Sequence, residues 1–363
     1  MKTLIPVFCF VAAATAGSAR FNLFSGVDAA LENPASGNGF FGARLMARKV
    51  FGRGVSLEGA WEGSAIAGGF PGLDRWSPYR AWDFTPVLLN DSLKILGNLD
   101  RLLLTARMKA ANLILGRQAV SWGLGKTFSP SDFVAPIPLY AIDREFRTGV
   151  DAARLRVPLG TMEELDLGFL AGDGLHGDGN GFWARAALSA AGLDVTPMAA
   201  YYRRCATASL GVNGVFAGAS WWAEGAFTDA DGTRYATITA GADHRLGANG
   251  YGWLEYTYNG AGAHGPEDYP DLRGSKPYTL AGAYLQGKNY LNPGVALSPH
   301  PLWNLQGTVT GNLSDQSAGF SLNAEFRPAD NTLLKAGCLF GAGSEDTEMG
   351  PQNRGYLEMR FFL

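Results

Sequence analysis

Apolar and polar residues alternate with a period of two over long parts of the chain, most clearly in its last third. In 302–313, Trp303, Leu305, Val309 and Leu313 alternate with Asn304, Gln306, Thr308, Thr310 and Asn312. In 317–327, Ala318, Phe320, Leu322, Ala324 and Phe326 alternate with Ser317, Ser321, Asn323, Glu325 and Arg327. Leu334, Ala336, Cys338 and Phe340 share one face of 331–341, opposite Lys335. Leu357, Met359, Phe361 and Leu363 face away from Arg354, Glu358 and Arg360. This is the side-chain period of a β-strand. A soluble sandwich also alternates. Here, however, the apolar face carries large side chains and the other carries charges and amides, the pattern of strands about 9–11 residues long that meet lipid on one side and a polar lumen on the other.

The same reading along the chain predicts eighteen strands, with sixteen as the fallback: 20–31, 40–51, 54–62, 98–108, 111–118, 148–158, 163–171, 181–189, 193–202, 205–214, 217–227, 233–243, 250–258, 277–286, 302–313, 317–327, 331–341 and 354–363. The fold class expected is all-β, a closed antiparallel transmembrane barrel with one inward-folded loop. An even strand count puts both ends of the barrel on one side. The connections there are mostly short, such as Gly52-Arg53, Lys109-Ala110 and Pro328-Ala329-Asp330. The opposite side carries the long stretches 63–97, 119–147, 259–276 and 342–353. One connection, 287–301, is too long for the short-turn side.

Composition agrees with this pattern. Glycine accounts for 49 of 363 residues, about twice the usual ~7%. Charged residues are 17% and aromatics 12%, against about 25% charged in soluble domains. No stretch reaches the ~18–20 apolar residues of a membrane-spanning helix. The first nineteen residues read as a Sec signal peptide, with Lys2, an apolar Leu4–Ala14 core and small residues before residue 20; residues 20–363 form the barrel. Cys9 lies inside the leader without a lipobox around it, and Cys205 and Cys338 do not make a disulfide framework. The final strand, ending at Leu363 with Phe361 two positions earlier, resembles the signal by which the barrel-insertion machinery recognises outer-membrane proteins.

Two groups of residues carry candidate chemistry. The inward faces of the first half hold Arg44, Arg48, Arg101, Arg107, Arg154, Arg156 and Arg185, partly balanced by Glu58, Glu62 and Asp166. Rings of arginine favour anions in a pore; salt bridging between neighbouring strands is the alternative. The second group lies in 119–147, a long segment without strand pattern, of a length that is functional or disordered in a compact fold. Trp122, Phe128, Phe133 and Tyr140 argue against disorder. The expectation is that this loop folds into the barrel and narrows it, with Trp122, Lys126, Asp132, Asp143, Arg144 and Arg147 near the narrowest point. A rigid loop whose charges only pin it to the wall is the other reading. Aromatics of the 63–97 loop, Trp76, Tyr79, Trp82 and Phe84, would pack its own small core, and Tyr256, Tyr258, Tyr278 and Tyr284 would form an interfacial girdle.

The run Gly116-Arg117-Gln118, Trp122-Gly123, Pro130-Ser131-Asp132 and Pro136 resembles a GRQ…WG…P-x-D…P element of porin-like outer-membrane families, including barrels similar to those that export exopolysaccharide. The resemblance covers about twenty residues, and it implies a porin-like channel.

Other signals are set aside. Gly172–Asn180 has no calcium-loop spacing, and His176, His244, His264 and His300 are scattered without metal spacing. No serine and histidine are placed together as in a hydrolase, and Val120 stands where a phosphate-binding loop before Gly125-Lys126-Thr127 needs glycine. No enzyme activity, cofactor or metal is expected. A net charge of −3 gives no nucleic-acid footprint. The expected partners are outer-membrane lipid, the barrel-insertion machinery and a small hydrophilic solute, with a lean towards anions; a homo-oligomer is left open. Polysaccharide export and a plugged structural or surface-binding barrel are the other functional readings.

Overall fold

The computed structural model describes residues 18–30, 38–67, 77–82, 87–90, 93–136, 147–175 and 177–363. They form one antiparallel sheet that closes on itself. The strands are β1 (Ser18–Ala30), β2 (Asn38–Phe51), β3 (Val55–Ala67), β4 (Val87–Asn90), β5 (Leu93–Arg107), β6 (Asn112–Gln118), β7 (Val150–Pro158), β8 (Glu164–Leu170), β9 (Gly181–Ala190) and β10 (Leu193–Tyr202). They continue as β11 (Cys205–Phe216), β12 (Ala219–Ala230), β13 (Thr233–Arg245), β14 (Gly250–Asn259), β15 (Asn289–Leu297), β16 (Trp303–Asn312), β17 (Ser317–Ala329), β18 (Thr332–Ala342) and β19 (Arg354–Phe362). Closure comes from β1, which pairs with β2 on one side (Asn22 opposite Arg44) and with β19 on the other (Asn22 opposite Phe362). β3 pairs directly with β5, and the short β4 only lies along residues 93–95 of β5, where the seven-residue β6 does not reach. The ring therefore has eighteen staves plus this short extra strand.

Inside and outside are inverted relative to a soluble protein. Asp166, Thr239, Glu255 and Thr257 are fully enclosed, while Leu210, Phe227, Leu254, Leu322 and Leu357 are each more than half exposed on the outer face. Cross-strand rows keep this division in register: Val309, Phe320 and Phe340 lie side by side outside, and Glu325 faces Lys335 inside. A continuous outer belt of such residues requires an apolar surround, and a closed ladder leaves no backbone edge unpaired within it.

The sequence reading placed seventeen of the eighteen strands and misplaced one. Residues 277–286 are not a strand. Their first three residues belong to the second of two short helices, Tyr269–Gly274 and Lys276–Thr279, inside a long 260–288 loop, and the strand is Asn289–Leu297. Tyr278 and Tyr284 consequently sit in that loop and do not join Tyr256 and Tyr258 of β14 in a girdle. Pro293 hides this strand in the sequence, because a residue with no N–H to donate argues against a central strand. β15 accommodates it: the β15–β16 ladder pairs Leu291 with Gly311 and resumes at Gly294 and Thr308, skipping the proline without a change of register. Pro197 interrupts the β9–β10 ladder in the same way, between Val195 and Met198. The correction also removes the awkward 287–301 connection, which shortens to 298–302. The expected leader falls on residues outside the described set apart from Ser18 and Ala19, which pair with Arg48 and Ala47 at the start of β1.

Candidate functional site: an inward loop anchored to the barrel wall

The wall is lowest at β6, β7 and β8, which are seven to nine residues long. The loop that leaves β6 at Gln118 starts there. Gly116 has φ +110, and a Cβ on it would lie 2.2 Å from the Leu102 carbonyl oxygen, so only glycine lets β6 lie this close to β5 as it bends. Arg117 is buried beyond that bend. Its Nε and Nη2 donate to Asp151 at 2.8 and 2.9 Å, and its Nη1 donates to the Leu99 carbonyl at 3.0 Å. Asp151 also accepts the Ala81 N–H at 2.9 Å, and Arg117 donates to the Trp82 carbonyl. This ion pair thus staples 77–82 to the rim. Gln118 completes the corner by donating to the Ala152 carbonyl.

From this corner the chain runs into the lumen. Trp122 packs against Trp183 and Phe133, with ring centroids 5.0 and 5.7 Å away. Its indole N–H donates to Asp166 of β8, as does that of Trp183, and Arg154 of β7 donates to the same carboxylate at 2.9 and 2.6 Å. Further along, Glu224 of β12 accepts the Leu124 N–H at 2.6 Å, the Ser131 N–H at 2.7 Å and the Ser129 hydroxyl at 2.8 Å, together with the Ser131 hydroxyl. Glu255 of β14 accepts the successive N–H groups of Lys126, Thr127 and Phe128 at 2.6, 2.9 and 3.1 Å, and the Trp222 indole N–H at 2.9 Å. Successive amides converging on one anion form a backbone nest. Gly123 makes the tight fold possible: at φ +115 a Cβ there would sit 1.6 Å from the Ser129 hydroxyl.

The loop's tip reaches deep. Lys126 pairs with Asp243 at 2.6 Å and lies 4.9–5.8 Å from the ring centres of Tyr251, Trp222 and Trp253. These partners sit near the ends of β12, β13 and β14 that carry the short 217–218 and 246–249 connections, the end opposite to where the loop begins. On the return path Asp132 pairs with Arg147, which also donates to the Ala135 carbonyl at 2.9 Å. Arg101 donates to the Arg147 carbonyl at 2.9 Å. Burial pushes the Asp132 carboxyl up to about 6, against the opposing pull of the Arg147 charge. Phe133 stacks on Tyr202 of the wall at 3.9 Å, and Tyr202 donates to the Ala281 carbonyl of the 260–288 loop, so the two long loops share one packed core.

Trp122, Lys126, Asp132 and Arg147 therefore belong to one inward element. Asp143 and Arg144 lie outside the described residues, as do Trp76 and Phe84. Tyr79 is buried against Val120 and Trp122, so 77–82 packs onto the inward loop as well as onto itself. Most of the lumenal arginines face carboxylates. Arg44 donates to Glu62 at 2.9 Å and also meets Asp100, Arg48 lies 3.2 Å from Glu58, Arg101 2.8 Å from Asp100, and Arg156 2.8 Å from Glu164. Arg185 stands opposite Asp166 in the ladder but makes no hydrogen bond or ion pair among the described residues, because Arg154 and the two indoles occupy that carboxylate. Arg107 lies in a cross-strand row with Asn112 and Arg156 and is exposed. Sequence reasoning missed Glu224, Glu255 and Asp243. Their only signal is a carboxylate on the lumenal face of a strand, whereas the loop groups that the two glutamates hold lie 93 to 129 residues away.

Comparison with solved structures fits this geometry. OccAB1 of Acinetobacter baumannii superposes with a TM-score of 0.60 over 96% of both chains at 12% identity. OccD3 (OpdP) of Pseudomonas aeruginosa gives 0.60 over 96% of this chain and 92% of its own, also at 12% identity. A mutant of the Rh. blastica porin gives 0.50 at 9% identity, covering 95% of this chain and 99% of its own. The chain has the porin-type barrel fold. At these identities the likeness is one of architecture. No family model matches the sequence, and no curated protein does.

Proposed function

We propose that this protein is an outer-membrane channel through which small hydrophilic solutes diffuse, with a lean towards anions, reached by export under its N-terminal signal peptide and insertion by the barrel machinery. The observation that carries the reading is the pairing of an exposed apolar belt with a lumen entered by a loop anchored to the wall along its described residues. The belt fits a membrane. The loop occupies part of the cross-section along much of the lumen's depth and so sets how wide an opening remains. Arg185, the half-exposed Arg156 and the partly exposed Lys126 and Arg147 supply positive charge towards that opening, and such groups favour anions.

Planar-bilayer recording tests this. Steady single-channel current with anion preference in a salt gradient is expected; a plugged barrel gives none. Replacing Arg156 with Glu places like charge beside Glu164 in the lumen and should reduce or reverse that preference, and an unchanged reversal potential would remove Arg156 from the selectivity argument. A pH dependence follows from Asp132. Its pKa in the folded protein is raised to about 6, so protonation favours the folded form, and that contribution is lost as pH rises through about 6. Protonation also leaves the Arg147 charge uncompensated. Anion preference should therefore increase as pH falls from 7 to 5, and Asp132→Asn should make the reversal potential flat across that range.

A further inference from the structure

Glu224 and Glu255 are conspicuous for charges in the wall of an aqueous lumen: they are 3% and 0% exposed. A permeating ion cannot touch them. All four groups around each are donors, and seven of the eight come from the loop, five from its backbone N–H groups and two from its Ser129 and Ser131 hydroxyls; the eighth is the Trp222 indole. We propose that these two glutamates are positioning residues for the opening: they hold 124–131 against β12 and β14, and thereby set pore width without setting ion preference. The inference rests on the channel reading given above and adds residues that reading does not need.

The chemistry of the donor set makes the claim specific. An ionised carboxylate offers only acceptors, whereas glutamine has the same shape but replaces one oxygen with an NH2 that only donates. At Glu255 that NH2 would face backbone N–H groups on both oxygens, since Lys126 and Trp222 use Oε2 while Thr127 and Phe128 use Oε1. Neither orientation of the amide satisfies the nest. At Glu224 the mismatch is milder on either side, because each oxygen meets one backbone N–H and one serine hydroxyl that can turn and accept. Loosening should therefore be greater for Glu255→Gln than for Glu224→Gln. Trp222 links the same carboxylate to the cage around Lys126, so the tip should loosen together with the nest.

The experiment compares wild type, Glu224→Gln, Glu255→Gln and the double variant in planar bilayers and in detergent, with Glu325→Gln as control. Glu325 is a lumenal carboxylate on β17, 3.4 Å from Lys335 and apart from the loop. In the double variant, conductance should rise at least about twofold with noisier open levels, because widening a pore relieves its resistance, while the reversal potential stays that of wild type. Limited proteolysis of the detergent-folded double variant should cut within 121–131, where wild type resists, and Trp222 emission should shift to the red. Glu325→Gln should move the reversal potential and leave conductance and protease resistance alone. If the glutamine variants fold poorly, Ser129→Ala with Ser131→Ala keeps both carboxylates and should loosen the Glu224 contact alone, with a smaller rise. Unchanged conductance together with unchanged protease resistance in the double variant would overturn the proposal. A shift of reversal potential equal to that of the control, without loosening, would also overturn it and make these residues selectivity charges. Absence of current in wild type would sink the channel reading instead, and the proteolysis and fluorescence would still decide whether the glutamates hold the loop.

Discussion

Replacing Asp166 with alanine is expected to destabilise the barrel by about 3–5 kcal/mol, the cost of removing one partner from a buried ion pair. The carboxylate is fully enclosed and accepts two hydrogen bonds from Arg154 and one each from the Trp122 and Trp183 indoles. Its loss leaves a guanidinium uncompensated and two indole N–H groups without acceptors where the inward loop first meets the wall. Asp166→Asn should cost less, since one oxygen still accepts. The measurement is reversible urea unfolding in lipid vesicles. A change under 1 kcal/mol for the alanine variant would mean that lumenal water replaces the carboxylate easily and that this contact does not anchor the loop.

Phe320→Arg is the second large effect, expected at up to about 4 kcal/mol for a charge on the lipid face, the cost falling with distance from the bilayer midplane. Phe320 is the fourth of the thirteen residues of β17, between Val309 of β16 and Phe340 of β18, all three on the outer face. The penalty should vanish when the same substitution is read in the neighbouring lumenal row, as in Ser321→Arg, because the side chain then points into water. Equal costs at positions 320 and 321 would contradict the assignment of faces. Purified protein that stayed soluble without detergent would contradict it more broadly.

The faces were legible in the sequence because a strand's side chains alternate strictly: once Phe320, Leu322 and Phe326 are grouped, Ser321, Asn323 and Glu325 must be opposite. Turn chemistry between alternating runs then fixed most strand limits. The exception, 277–286 in place of 289–297, arose where alternation was weak and a proline stood inside the true strand, which a ladder can tolerate at the cost of one missing bond. The long 119–147 stretch stood out for its lack of pattern, and its aromatics indicated order. What could not be read was what it is ordered against.

The chain by itself determined a closed sheet of about eighteen strands, its apolar outside and the 119–147 segment that does not continue the wall, because all of these follow from short-range periodicity and from the rule that lipid tolerates no unpaired backbone. Tertiary structure alone decided that Asp166, Glu224 and Glu255 anchor that segment, that Arg117 and Asp151 hold 77–82 at the rim, and that Arg185, among the described residues, makes no ion pair while Arg154 and Arg156 do. Those outcomes depend on which backbone amides meet which carboxylates across a lumen, and backbone amides carry no residue-specific signal by which a sequence could announce the meeting.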